Sequence, residues 1–200
     1  MIEFQKKQHV SISAYQKPKN GNVLCGDSYV VVEKENYVVC AVSDGLGSGE
    51  QAYASSDTVM EVIRQNHHED VKKIVELCNK SLASKRGVVL TVIKFDRKDR
   101  KVHYSNIGNI GFLFYSSKGQ MIRPIPYRGF LSGRKINVKT ESFPYDPGSI
   151  FVIFSDGIKL SGLKHENLTD MRSQEEAGRF IERHVSSVDD DLTLLVGQLH

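Results

Sequence analysis

The sequence has no apolar run near the roughly 20 residues that a membrane-spanning helix needs, which argues against a membrane protein of that kind. The opening stretch, MIEFQKKQHV, lacks the apolar segment of a secretory signal, so cytoplasmic location is the default expectation. Cysteine is scarce. Cys25, Cys40 and Cys78 are widely spaced, and no CxxC pair occurs, which argues against a zinc site and for reduced thiols. Dense Lys/Arg runs are also missing, and a net charge of +3 is too mild to point to nucleic acid. No Gly-Lys-Ser or Gly-Lys-Thr occurs, so there is no P-loop. Neither a repeat of solenoid length nor a linker is visible, and 200 residues suit one domain over 1–200.

What is present is a chain of short apolar runs separated by turns. Val10 to Tyr15, Tyr29 to Val32 and Tyr37 to Ser43 read as strands. A helix is expected from near Ser48, with Ser48 as N-cap and Gln51 at capping-box spacing. Asn66 to Asp70 breaks it. A second helix follows, with Val71, Ile74, Val75, Cys78 and Leu82 on one stripe. The period then returns to strands at Val88 to Phe95, Lys101 to Asn106, Gly111 to Tyr115 and Ser149 to Phe154, with an irregular Gly/Pro-rich segment from Tyr127 to Gly148. Ser173 opens an expected helix with Glu176 as capping partner and Ala177, Phe180, Ile181, His184 and Val185 on its apolar stripe. Leu192 to Leu199 reads as the last strand. Consecutive strands joined by short turns imply mostly antiparallel sheet, enough for two packed sheets with helices outside.

Four of the most apolar strands carry an acid at one end: Asp27 in CGDSYVVV, Asp44 in VVCAVSDG, Asp156 in SIFVIFSDG and Asp190 in DDLTLLVG. A lone Asp-Gly is a turn. Paired strands, however, carry their ends to common edges. Carboxylates gathered there repel one another unless a cation sits between them, and a hard divalent ion is the usual solution. Gly45 would let a backbone carbonyl approach such an ion.

A rival reading exists, because Gly47 to Ala52 matches GxGxxA between a strand and a helix. Asp44 would then add negative charge beside bound phosphates. The next element also reads as a helix, where a dinucleotide fold needs a strand. The nucleotide reading is the weaker one.

Taken together, AVSDGLGSG, NIGN (Asn106 to Asn109), SDGI (Asp156 to Ile158), Asp190-Asp191-Leu192-Thr193 and the early CGDS resemble the motifs of the PPM (type 2C) metal-dependent serine/threonine protein phosphatases. The bacterial branch that regulates sigma factors is the most similar, and the resemblance runs through nearly the whole chain. It implies an α+β fold, a four-layer αββα sandwich of two mostly antiparallel sheets. It implies two Mn²⁺ or Mg²⁺ ions, with Asp44 bridging, Gly45 offering its carbonyl, Asp156 and Asp190 on the first ion, and Asp27 supporting the second. A water activated by ions on Asp44, Asp156 and Asp190 would attack the phosphate monoester. Asn109 and Asp191 are further candidates, and the choice of Asp190 over its neighbours rests on the spacing to Thr193. The implied partners are phosphorylated, stressosome-type regulatory proteins, with negative regulation of the sigma-B general stress response as the role. Two departures stand out. Leu46 occupies a place where many relatives have a histidine, and no arginine precedes Arg64 to hold phosphate. A catalytically silent binding module with the same fold is the remaining alternative.

Overall fold

The computed structural model describes residues 2–20, 22–160, 176, 179, 180, 183, 185–187 and 189–200. Its elements in chain order begin with β1 (Ile2–Lys6), β2 (Val10–Lys17), β3 (Asp27–Glu33) and β4 (Tyr37–Gly45). Two helices follow, α1 (Glu50–Asn66) and α2 (Val71–Ser81). Then come β5 (Val88–Asp96), β6 (Lys101–Ile107), β7 (Gly111–Tyr115), β8 (Met121–Ile122), β9 (Glu141–Pro144), β10 (Ile150–Phe154), β11 (Ile158–Leu160), β12 (Val185–Ser187) and β13 (Leu192–Leu199).

The strands form a six-stranded sheet, β1-β2-β13-β10-β7-β8, and a five-stranded sheet, β3-β4-β5-β6-β9, with β11 and β12 as a separate pair. Every pairing among the described residues is antiparallel. This removes the dinucleotide reading, which needs parallel strands, and α1 is followed by α2 rather than by a strand.

Alternation along β4 shows how the layers stack. Val38, Cys40 and Val42 enter a core shared with Ile12, Phe112, Phe114 and Phe151 of the other sheet. Val39 and Ala41 enter a second core with Val59, Met60 and Ile63 of α1 and Ile74, Val75 and Cys78 of α2. A strand buried on both faces needs no polar side, which is why β4 reads as a continuous apolar run. The outer face of the six-stranded sheet holds a third core, where Leu113, Val152 and Leu194 meet Phe180. Residues 176, 179, 180 and 183 are helical. The order of layers is therefore helix, sheet, sheet, helix, as expected. Each fully buried Val, Leu, Ile or Phe contributes about 1.5–3 kcal/mol to holding the layers together.

The structure departs from expectation at several elements. Helix α1 is capped by Gly49, at φ 72 and ψ −152, with no side-chain cap, so Ser48 is not the N-cap. The chain reverses between β4 and α1 through Gly47 and Gly49, both at positive φ, a conformation in which a serine cap cannot sit. Within the segment read as irregular, Glu141–Pro144 adds a strand to the edge of β6. Val185 belongs to β12, paired with Leu160, instead of to a helix. The rest of the helix expected from Ser173, His184 included, lies outside the described residues.

Candidate metal centre

Strand register puts the first two acids side by side. Asp27 opens β3, Asp44 lies one residue from the end of β4, and the two are direct Cα partners. Asp27 is 2% exposed, and no hydrogen bond reaches either of its carboxylate oxygens. Burial drives its pKa up to about 7. The hydroxyls of Ser155 and Thr193 face it and offset part of that rise without closing a bond of good geometry, while Asp191 and Asp156 add to it. Asp44 is pushed further, to about 8, by burial first and then by Asp27, Asp156, Asp190 and Asp191. Nothing offsets that rise.

The six-stranded sheet delivers the other acids. Asp156 follows β10, is exposed, and accepts a 2.6 Å hydrogen bond on Oδ2 from Asn109 Nδ2. Ser155 locks that turn to β13: its N–H donates to the Thr193 carbonyl, and its Oγ accepts from Thr193 N, both at 2.9 Å. Asp190 and Asp191 precede β13. Asp190 Oδ1 accepts from Asp191 N at 2.9 Å. Asp191 is 4% exposed, and its Oδ1 accepts from the Lys19 N–H at 2.8 Å. All the acids singled out by sequence thus meet at one edge of the sandwich. Asp189, the neighbour also weighed, is exposed.

Gly45 also has a packing reason for being glycine. Its φ is not positive, and a Cβ there would lie 2.1 Å from the Ala52 carbonyl oxygen. The missing side chain lets the first turn of α1 press against the end of β4. Leu46 ties the turn to the next strand through its N–H and the Gly87 carbonyl, at 3.1 Å. No titratable group occupies that position.

Sequence reasoning missed Gly26 and Gln16. A Cβ on Gly26 would stand 2.7 Å from Asp191 Oδ2, so only glycine leaves room for that acid. Gln16 Nε2 donates to the Asp27 carbonyl at 3.1 Å and to Thr193 Oγ1 at 3.2 Å, stitching β2, β3 and β13 together. The CGDS stretch held a signal for Gly26; nothing local marked Gln16.

The donor set suits a hard divalent cation. It is all oxygen, it is crowded with like charge, and one member is buried with both oxygens unpartnered. Among the described residues no three of His, Cys, Asp and Glu stand close enough to form a ready-made cage. The acids converge on a common edge, and a cation is what would draw them together.

An antiparallel sandwich with an acid cluster at one edge defines a class seen in known proteins. The chain belongs to the Stage II sporulation protein E (SpoIIE) family, whose model matches residues 34–200. The PP2C phosphatase domain of SpoIIE from Bacillus subtilis has the same fold, with a TM-score of 0.76 at 19% identity over 100% of this chain and 64% of that one. The phosphoserine phosphatase RsbX of Bacillus subtilis (strain 168) is 34% identical over 199 residues, covering 100% of both chains. A crystal structure of RsbX in complex with magnesium superposes with a TM-score of 0.90 over 100% of each chain. A chain solved in work on the bacterial stressosome, a modular system adapted to control secondary messenger signalling, is 27% identical with a TM-score of 0.85, covering 94% of this chain and 99% of that one.

Proposed function

We propose that this protein is a metal-dependent phosphoserine/phosphothreonine protein phosphatase acting on phosphorylated, stressosome-type regulatory proteins, and that it works as a negative regulator of the sigma-B general stress response. The observation that carries the reading is the convergence of Asp27, Asp44, Asp156, Asp190 and Asp191 at one edge, with Asp44 held at a pKa of about 8 by burial and by the other four. The likeness to RsbX, a phosphoserine phosphatase, supports it.

Asp44, the Gly45 carbonyl, Asp156 and Asp190 would hold two Mn²⁺ or Mg²⁺ ions, with Asp27 supporting the second. Bound there, the ions supply positive charge that acidifies water and offsets the charge on a phosphoryl group. The chain's own residues set the geometry. Asn109 fixes the Asp156 carboxylate by donating to Oδ2. The Lys19 N–H and the space left by Gly26 fix Asp191. The Ser155–Thr193 bonds hold the edges of β10 and β13 in register beneath both. Leu46 supplies no protein acid to the leaving oxygen from that turn, and in this reading solvent is the proton source. No helix of the described residues is long and apolar enough to cross a membrane, in keeping with protein substrates met in solution.

The test is phosphate release from a phosphoserine peptide in Mn²⁺ and in EDTA, for wild type and Asp156→Asn. Release should need Mn²⁺ and fall on the order of 100-fold or more in the variant. Metal binding with no release from peptide or whole phosphoprotein would leave a binding module instead.

A further inference from the structure

One cationic recess lies beside the acid cluster and has no part in it. Lys85, Arg86 and Arg134 line a hollow of about 390 Å³ together with Phe130 and Ser132. The Arg86 guanidinium stands over the turn that follows β4: a Cβ on Gly47 would meet Arg86 Nη1 at 2.6 Å. The three cations are exposed, and among the described residues no carboxylate pairs with any of them.

The hollow is also held rigidly. Val88 and Leu131 exchange both backbone hydrogen bonds, N–H to carbonyl at 3.0 and 2.8 Å. Buried Asn79 of α2 clamps the other side. Its Oδ1 accepts from Ser132 N and Gly133 N, each at 3.1 Å, and its Nδ2 donates to the Arg134 carbonyl at 2.7 Å. Gly133, at φ 80, packs where a Cβ would lie 2.5 Å from the Ala83 Cα. A backbone fixed in this way has little freedom left to lose when a ligand binds. Phe130, 48% exposed, supplies an apolar wall.

We propose that this recess is the docking site for acidic side chains of the phosphoprotein substrate, flanking its phosphoserine. The inference rests on the phosphatase reading. Charge complementarity and position carry it: Arg86 packs onto Gly47, three residues beyond Asp44, and Lys85 and Arg134 line the same hollow, so the recess presents three cations to the acidic groups of a substrate whose phosphoserine lies at the metal centre. The recess thereby selects substrates by the charge beside the phosphoserine, a part of recognition that the acid cluster itself cannot supply.

Two phosphoserine peptides test it, identical except for three flanking Glu residues replaced by Gln in the second. KM and kcat are measured in Mn²⁺ for wild type, Arg86→Gln, Arg134→Gln and Lys85→Gln, and peptide binding is followed by fluorescence anisotropy in EDTA. The Glu peptide should show a KM about tenfold lower than its Gln twin in wild type, and the gap should close stepwise across the variants and with added salt. An Arg86→Glu/Arg134→Glu double variant should instead favour a Lys-flanked peptide, a reversal that a merely structural role would not produce. Equal KM for the two peptides in wild type, or a gap untouched by the substitutions, would overturn the proposal. Absence of turnover on every peptide would sink the phosphatase reading alone; the anisotropy ratio would still decide the recess.

Discussion

Strands β4 and β5 lie side by side with an aspartate at each end of the pair, and the two aspartates live in opposite conditions. At one end Asp44 faces Val89 across the ladder; at the other Asp96 faces Tyr37. Asp96 Oδ1 accepts from Lys98 N at 2.9 Å and Asp99 N at 3.0 Å, closing the hairpin to β6. Its charge is met locally, and it serves the turn. Asp44 sits among Asp27, Asp156, Asp190 and Asp191, and all four add to the cost of ionising it. The same residue type at two ends of one strand pair thus marks a structural corner and, in the proposed reading, a functional one. The discriminating feature is whether the fold provides donors.

The sharpest way to break the comparison is to remove one charge from each end. Asp44→Asn should cut Mn²⁺-dependent phosphate release on the order of 10³-fold while leaving the circular dichroism spectrum intact. Activity close to wild type would show that the crowded end has no special role.

The next effect is on stability without metal. Asp27 and Asp44 keep their protons when folded up to about pH 7 and 8, whereas the unfolded chain loses them near the ordinary value of 3.8. Between those limits the folded state binds more protons, so the contribution of these two acids to stability is fullest below about pH 4 and is lost as pH rises to 7 and 8. Urea midpoints in EDTA should fall between about pH 4 and pH 8. Adding Mn²⁺ should restore them, and Asp27→Asn should flatten the slope. A midpoint that rises with pH would show that the acids are already satisfied.

The smallest effect belongs to the quiet end. Asp96→Ala loses two turn hydrogen bonds and should cost about 1 kcal/mol in urea unfolding, with phosphate release unchanged.

The crowded end was legible because its acids close long apolar runs, and burial on both faces makes such runs conspicuous. The stripe Val71, Ile74, Val75, Cys78, Leu82 was legible for the same reason, and all five are buried. The misses share a cause too. β1 is an edge strand of half-buried and exposed residues, so no alternation announced it. Strand β9 exists because β6 has a free edge, a fact about another part of the chain. In Asp189-Asp190-Asp191 the local pattern is uniform. The Lys19 N–H, 172 residues away, singles out Asp191 as an acid held inside, a contact that no local reading of the run contains.

Strand β13 lies between β2 and β10 in the middle of its sheet, yet it is the last of the described strands to be synthesised. Without it the six-stranded sheet falls into two separate pieces, and Asp156 loses the Thr193 contacts that steady its turn. A chain emerging from the ribosome therefore passes through no partly competent stage. The acid edge can close only once β13, the last of the described strands, has left the ribosome.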